Sequence, residues 1–87
     1  MYTVYSKHGC PYCDKIKHIM ELTEQKHVVY QLGLDYNREE FYKMFGNGST
    51  FPQVILNADS EDSVKLGGCT ETVAYLKEQK VIRWNKN

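Results

Sequence analysis

Cys10-Pro11-Tyr12-Cys13 sets a pair of thiols between an extended segment and a helical one, and this placement constrains the fold more than any other feature. Tyr2 to Ser6 alternates and is rich in Tyr, Thr and Val, which reads as a short strand. Lys7-His8-Gly9 is a loop, and Pro11 suits the first turn of a helix, where its missing N–H costs nothing. Cys13, Ile16, Ile19 and Met20 recur at helical spacing, with Lys15, Lys17 and Glu21 opposite, so a helix is expected from Pro11 to Gln25. Val28, Val29, Tyr30, Leu32 and Leu34 mark a second strand from His27 to Leu34, with Gly33 as a possible bulge. Strand, helix and strand in this order call for a right-handed crossover and a parallel pair.

Asn37 with Glu40 resembles a capping box, Phe41, Met44 and Phe45 give the next apolar stripe, and Gly46 is a natural stop. Pro52 to Leu56 reads as a third strand with its proline at the first position, where a sheet tolerates it. Asn57 to Asp62 is an acidic, exposed turn, and Ser63 to Leu66 a fourth strand that Gly67-Gly68 breaks. Thr70 is expected to cap a third helix with Val73, Leu76 and Ala74 facing inward, and Val81, Ile82 and Trp84 in the tail are expected to pack back. The order is β-α-β-α-β-β-α, an α/β sandwich in a single domain over residues 1–87.

Eleven basic residues balance eleven acidic ones, which argues against a general binder of nucleic acid or membrane surfaces. Three cysteines are too few for the disulfide framework of a small secreted domain. No signal peptide is visible at Met1 to Tyr5, and no apolar run approaches the ~20 residues that span a membrane. A reducing, cytoplasmic setting is therefore expected, in which a Cys-x-x-Cys pair is catalytic or metal-binding rather than a static staple.

The thiolate, not the thiol, attacks a disulfide, and a helix N-terminus stabilises that anion. Cys10 lies on the N-cap side of the expected helix and Cys13 one turn inside it. Cys10 is thus expected to have the lower pKa and to attack, with Lys7 adding positive potential, and Cys13 to resolve the mixed disulfide. The competing reading is zinc: His8, Cys10 and Cys13 offer three ligands, and Cys69 or His18 a fourth, but a second tight ligand pair is missing. In Thr50-Phe51-Pro52 the proline is either a plain edge residue or a cis one that turns the Phe51 backbone outward to pair with an extended peptide. In Gly67-Gly68-Cys69-Thr70-Glu71 the glycines allow close backbone approach, the helix start offers N–H groups to an anion, and Glu71 can meet an amine. A strand end and helix cap explain the same residues, and Cys69 reads most simply as a small, half-buried side chain.

Together these three motifs resemble a dithiol glutaredoxin of the thioredoxin-like superfamily, over nearly the whole chain. The thioredoxin motif Trp-Cys-Gly-Pro-Cys and the Cys-Gly-Phe-Ser of monothiol, cluster-carrying members are both absent. The resemblance implies a thioredoxin-like fold of four mixed strands flanked by three helices, and a groove for glutathione as reducing co-substrate, with no metal. Lys7 would lie near the glycine carboxylate of glutathione and Tyr12 would pack on the tripeptide. Phe51, followed by a cis Pro52, would pair with its cysteine. Thr70 and Glu71 would meet the γ-glutamyl end, with Thr50, Gly68 and Cys69 completing the site.

The chain departs from the family pattern at Ser49, where a basic residue is usual, at Glu71 in place of Asp, and at Phe51 in place of Val, which adds an exposed ring. Arg38 or Lys43 is then the candidate for the missing basic anchor. The implied activity is reduction of protein disulfides and glutathione mixed disulfides by a monomer. The compact size resembles bacterial and phage members, whose clients include ribonucleotide reductase and whose setting is the cytoplasm, the host's for a phage protein. A thioredoxin-like protein reduced by a flavin reductase is the main alternative, and a module carrying zinc or a bridging iron–sulfur cluster is another.

Overall fold

The computed structural model describes residues 1–79. Its elements run β1 (Tyr2–Ser6), α1 (Pro11–Leu22), β2 (His27–Gln31), α2 (Arg38–Phe45), β3 (Gln53–Leu56), β4 (Val64–Gly67) and α3 (Cys69–Glu78). The sheet order is β2-β1-β3-β4. β1 pairs in parallel with β2 and antiparallel with β3, and β3 and β4 form an antiparallel hairpin. This is the expected order and the expected mixed sheet.

Strand alternation sorts the two faces. Tyr2 and Val4 of β1 and Val54 of β3 join Ile16 and Met20 of α1 and Cys69 and Leu76 of α3 in one buried cluster. Tyr5 points the other way and meets the rings of Tyr30, Tyr36 and Phe45 edge-on at 5.2 to 5.5 Å. The sheet thus carries an aliphatic core under α1 and α3 and an aromatic one under α2. The Tyr36 hydroxyl ties the aromatic side to β1 by donating to the Ser6 carbonyl at 2.6 Å.

Several boundaries differ from the sequence reading. α1 stops at Leu22 rather than Gln25: the Thr23 hydroxyl donates back to the Ile19 carbonyl at 2.7 Å, and Glu24 turns the chain with φ of 56°. β2 stops at Gln31 rather than Leu34, because the Asp35 carboxylate takes the Gln31 N–H and Gly33 donates to the Tyr36 carbonyl, closing a turn that leaves Leu34 exposed. β3 starts at Gln53, one residue after Pro52, and β4 is shifted by one residue, starting at Val64 rather than Ser63 and ending at Gly67, which pairs with Val54. Thr70 is not the cap of α3. Gly68 holds that position, since Glu71 at the third helical residue accepts its N–H at 2.9 Å. On α3, Thr72 is buried where Ala74 was expected, and Ala74 is exposed. The Asn37–Glu40 capping box is present in both directions, at 2.8 and 2.9 Å. Val81, Ile82 and Trp84 lie outside the described residues.

Candidate functional site

The dithiol is set at the junction of β1 and α1. Gly9, at φ of 71°, turns the loop so that Cys10 becomes the N-cap of α1, and Pro11 occupies the first helical position. Cys10 and Cys13 are joined by a disulfide. The sulfur of Cys10 accepts the Cys13 N–H at 3.1 Å, a donor that the first turn of the helix leaves without a carbonyl partner. That same donor would stabilise a Cys10 thiolate after reduction. Cys10 retains 6% exposure and Cys13 none, so an incoming thiolate finds the Cys10 sulfur as the reachable end of the bond.

The Phe51–Pro52 peptide is cis. The Phe51 carbonyl oxygen lies 3.8 Å from the Cys10 sulfur. In the disulfide that sulfur has no proton, so the contact becomes a hydrogen bond only in the thiol. Among the described residues the Phe51 N–H has no protein partner. The Phe51 ring is not the exposed group expected: it is half-buried and lies flat against buried Phe41, at 4.1 Å between centroids and 9° between planes.

Two grooves meet at Thr50 and Phe51. One, of about 460 Å³, is bounded by Tyr12 on one side and by Pro52, Gly68, Cys69, Thr70 and Glu71 on the other. The second, of about 400 Å³, opens at Lys7 and Cys10 and is closed by Arg38, Tyr42 and Ser49. Cys10, Lys7, Tyr12, Thr50, Phe51, Pro52, Gly68, Cys69, Thr70 and Glu71 each line one of the two, while buried Cys13, Gly67, His8 and His18 line neither. Lys7 and Arg38 both stand over the Phe51 ring, at 5.2 and 5.6 Å from its centre. Arg38 thus takes the place beside Ser49 that the sequence left open, while Lys43 lines neither groove. Tyr42 was missed, although its spacing from Arg38 puts the two on one side of α2.

At the other end, α3 begins under the first groove. The Cys69, Thr70 and Glu71 N–H groups precede the first intrahelical bond, Thr72 N–H to the Gly68 carbonyl at 3.0 Å. One oxygen of Glu71 is committed to the Gly68 N–H. The close approach anticipated for Gly67 and Gly68 is to the protein itself. A Cβ on Gly67 would come 3.0 Å from the Glu71 Cβ, and one on Gly68 3.3 Å from the Pro52 carbonyl oxygen. Cys69 is buried rather than half-buried, and burial pushes its thiol pKa up, with Glu71 adding and Lys15 opposing. Among the described residues no group of three or more His, Cys, Asp or Glu is placed to hold a metal ion, so His8, His18 and Cys69 do not assemble with the dithiol.

A family model described as Glutaredoxin matches residues 2–60. Glutaredoxin 3 of Escherichia coli is 36% identical over 75 residues, covering 82% of this chain and 80% of the relative. Glutaredoxin 1 of Rickettsia prowazekii is 32% identical over 80 residues, covering 86% of this chain and 76% of the relative. Among solved structures, a buckwheat glutaredoxin–glutathione complex superposes with a TM-score of 0.69 at 20% identity, over 92% of this chain and 71% of that one.

Proposed function

Because this chain belongs to the glutaredoxin family and is a thiol–disulfide oxidoreductase, we propose that glutathione is its reductant. We further propose that it passes electrons to protein disulfides and to glutathione mixed disulfides. The observation that carries this reading is the pair of grooves meeting beside Cys10. One end offers two cations, Lys7 and Arg38, and the other the N–H groups of the α3 start beside the Glu71 carboxylate. Glutathione has a carboxylate at each end and an amine at one, and the unpaired Phe51 N–H between the grooves suits its cysteine backbone. Lys7 and Arg38 then hold the glycine carboxylate and Tyr12 covers the tripeptide. Thr70 and Glu71 meet the γ-glutamyl end, with Thr50, Pro52, Gly68 and Cys69 as the walls.

In the reductive half-cycle the Cys10 sulfur takes the attack of a glutathione thiolate and Cys13 leaves as the thiolate. A second glutathione thiolate displaces Cys10 from the mixed disulfide, yielding glutathione disulfide. In the oxidative half-cycle the Cys10 thiolate attacks a client disulfide. Cys13 then attacks the Cys10 sulfur, re-forming the Cys10–Cys13 bond and releasing the client as its dithiol. The α1 N-terminus supports this division by placing its donor on Cys10 and burying Cys13. On family resemblance, ribonucleotide reductase is the first client to test, the active form is a monomer and the setting is a reducing cytoplasm. Among the described residues no helix is long and apolar enough to cross a membrane.

Oxidised protein is offered glutathione alone, or a flavin reductase with NADPH alone. Reduction by the first and not the second is expected, and the reverse result would make the reductase reading the correct one. Cys10→Ser is expected to abolish all turnover, while Cys13→Ser keeps deglutathionylation. An active Cys10→Ser enzyme beside a dead Cys13→Ser enzyme would reverse the two roles.

A further inference from the structure

Resting on the glutathione reading, we propose that Phe41 is a positioning residue for the reaction: its stack on the Phe51 ring fixes the backbone with which the substrate pairs beside Cys10. Phe51 follows a loop in which Gly46 and Gly48 both have positive φ, and it precedes the first β3 residue by one cis proline. The sheet ladder therefore holds this backbone only from the Gln53 side, through the Tyr5–Gln53 pair. Its N–H has no protein partner, and its carbonyl only faces the Cys10 sulfur at 3.8 Å. The ring supplies the missing hold, lying 4.1 Å from Phe41 at 9°.

Phe41 is rigid enough to serve. It has no exposed surface, and the rings of Tyr36, Tyr42 and Phe45 lie 4.9 to 5.9 Å from it. It lines neither groove, so it reaches the reacting atoms only through Phe51. Its own helix also carries Arg38 and Tyr42 into the second groove. The stack thus sets the spacing between those side chains and the pairing backbone. A valine at position 51 has no ring to stack, so this tie comes with the Phe51 departure from the family pattern.

The test compares Phe41→Leu and Phe41→Met, which both remove the ring but differ in shape, with Phe45→Leu, each with Phe51 intact and with Phe51→Val. Phe45 belongs to the same cluster, touching Phe41 and Tyr5, but does not stack on Phe51. Both Phe41 variants are expected to raise the glutathione KM by roughly 2- to 10-fold, the range a lost aromatic pair supports, with kcat little changed. Phe45→Leu is expected to lower Tm without moving KM, and the Phe41 effect is expected to vanish beside Phe51→Val. A Phe41 effect no larger than that of Phe45→Leu, or one that persists beside Phe51→Val, overturns the proposal. A wild-type enzyme with no saturable dependence on glutathione would sink the glutathione reading instead. The Phe41 role is then decided by thiolate ultraviolet absorbance of the reduced proteins. Loosening the Phe51 carbonyl from the Cys10 sulfur should lower the first thiol titration in Phe41→Leu and not in Phe45→Leu, and equal titrations would refute it.

Discussion

Gly67 and Gly68 are neighbours in sequence, yet alanine at each should fail differently. Gly67 closes β4 at φ of 106°, a conformation that side-chain-bearing residues rarely adopt. A Cβ there would also press on the Glu71 Cβ and Cγ at 3.0 and 3.1 Å. Backbone strain of roughly 1–3 kcal/mol adds to about 1 kcal/mol for the Gly68 N–H bond that a displaced Glu71 gives up. The total of about 2–4 kcal/mol lowers Tm by roughly 8–30 °C in a domain of this size. Gly68 has φ of −86°, open to any residue, and its Cβ would meet the Glu71 Oε1 that accepts its own N–H and the Pro52 carbonyl oxygen, both at 3.3 Å. That costs below about 1 kcal/mol of stability, but it spreads two walls of the first groove. Gly67→Ala should therefore show in thermal unfolding followed by circular dichroism. Gly68→Ala should show in the glutathione KM at nearly unchanged Tm. A larger Tm loss for Gly68→Ala than for Gly67→Ala would refute the backbone argument. An unchanged KM in Gly68→Ala would refute the assignment of those walls to the substrate.

Arg38→Ala and Lys7→Ala should each raise the glutathione KM, and Lys43→Ala should leave it alone; equal effects from all three would reduce the anchor to a general field. Burial pushes Tyr36 up to about 12, with Tyr5 adding to the rise and Arg38 opposing it. Unfolded tyrosines ionise near about pH 10, so above that pH the unfolded chain holds fewer protons than the native one and stability falls as pH rises. The urea midpoint should therefore drop between about pH 10 and 12, less steeply in Tyr36→Phe, and a midpoint that climbs there contradicts the sign. Leu76→Ala empties a fully buried site between α3 and the sheet and should cost about 2–5 kcal/mol by denaturant unfolding, with the dithiol still reducible.

The element order was legible because period alone separates β1, α1 and the later strands, and because Asn37 with Glu40 and Pro11 announce their helix starts. Element ends were read too far, since Thr23 and Asp35 end α1 and β2 by hydrogen bonds to particular backbone atoms that periodicity does not show. The cap of α3 was misplaced for a related reason. Thr70 looks like a cap, but the bond that closes the helix start runs from the Gly68 N–H to Glu71, and glycine gives no side-chain signal. Most of the residues that line the two grooves were legible because they lie in contiguous motifs at strand and helix ends. The place of Tyr42 in the second groove and the stack of Phe41 on Phe51 were not legible, because both residues belong to the middle of α2. A helical stripe tells which side of α2 meets the protein but not which ring it meets.

That difference explains why α2 matters more to the site than its sequence suggests. The Cys10 sulfur sits between two backbone groups of opposite sign, the Cys13 N–H at 3.1 Å and the Phe51 carbonyl at 3.8 Å. The closer group is a donor, the kind that stabilises a thiolate, and the farther one an acceptor that opposes it. The first group is fixed by α1 itself, because Cys13 lies one turn inside the helix that Cys10 caps. The second belongs to a loop end whose ring is stacked on Phe41 of α2. Chemistry that reads as the property of Cys10-Pro11-Tyr12-Cys13 is therefore balanced from both faces of the sheet, α1 stabilising the thiolate and α2 setting how closely the opposing carbonyl approaches it.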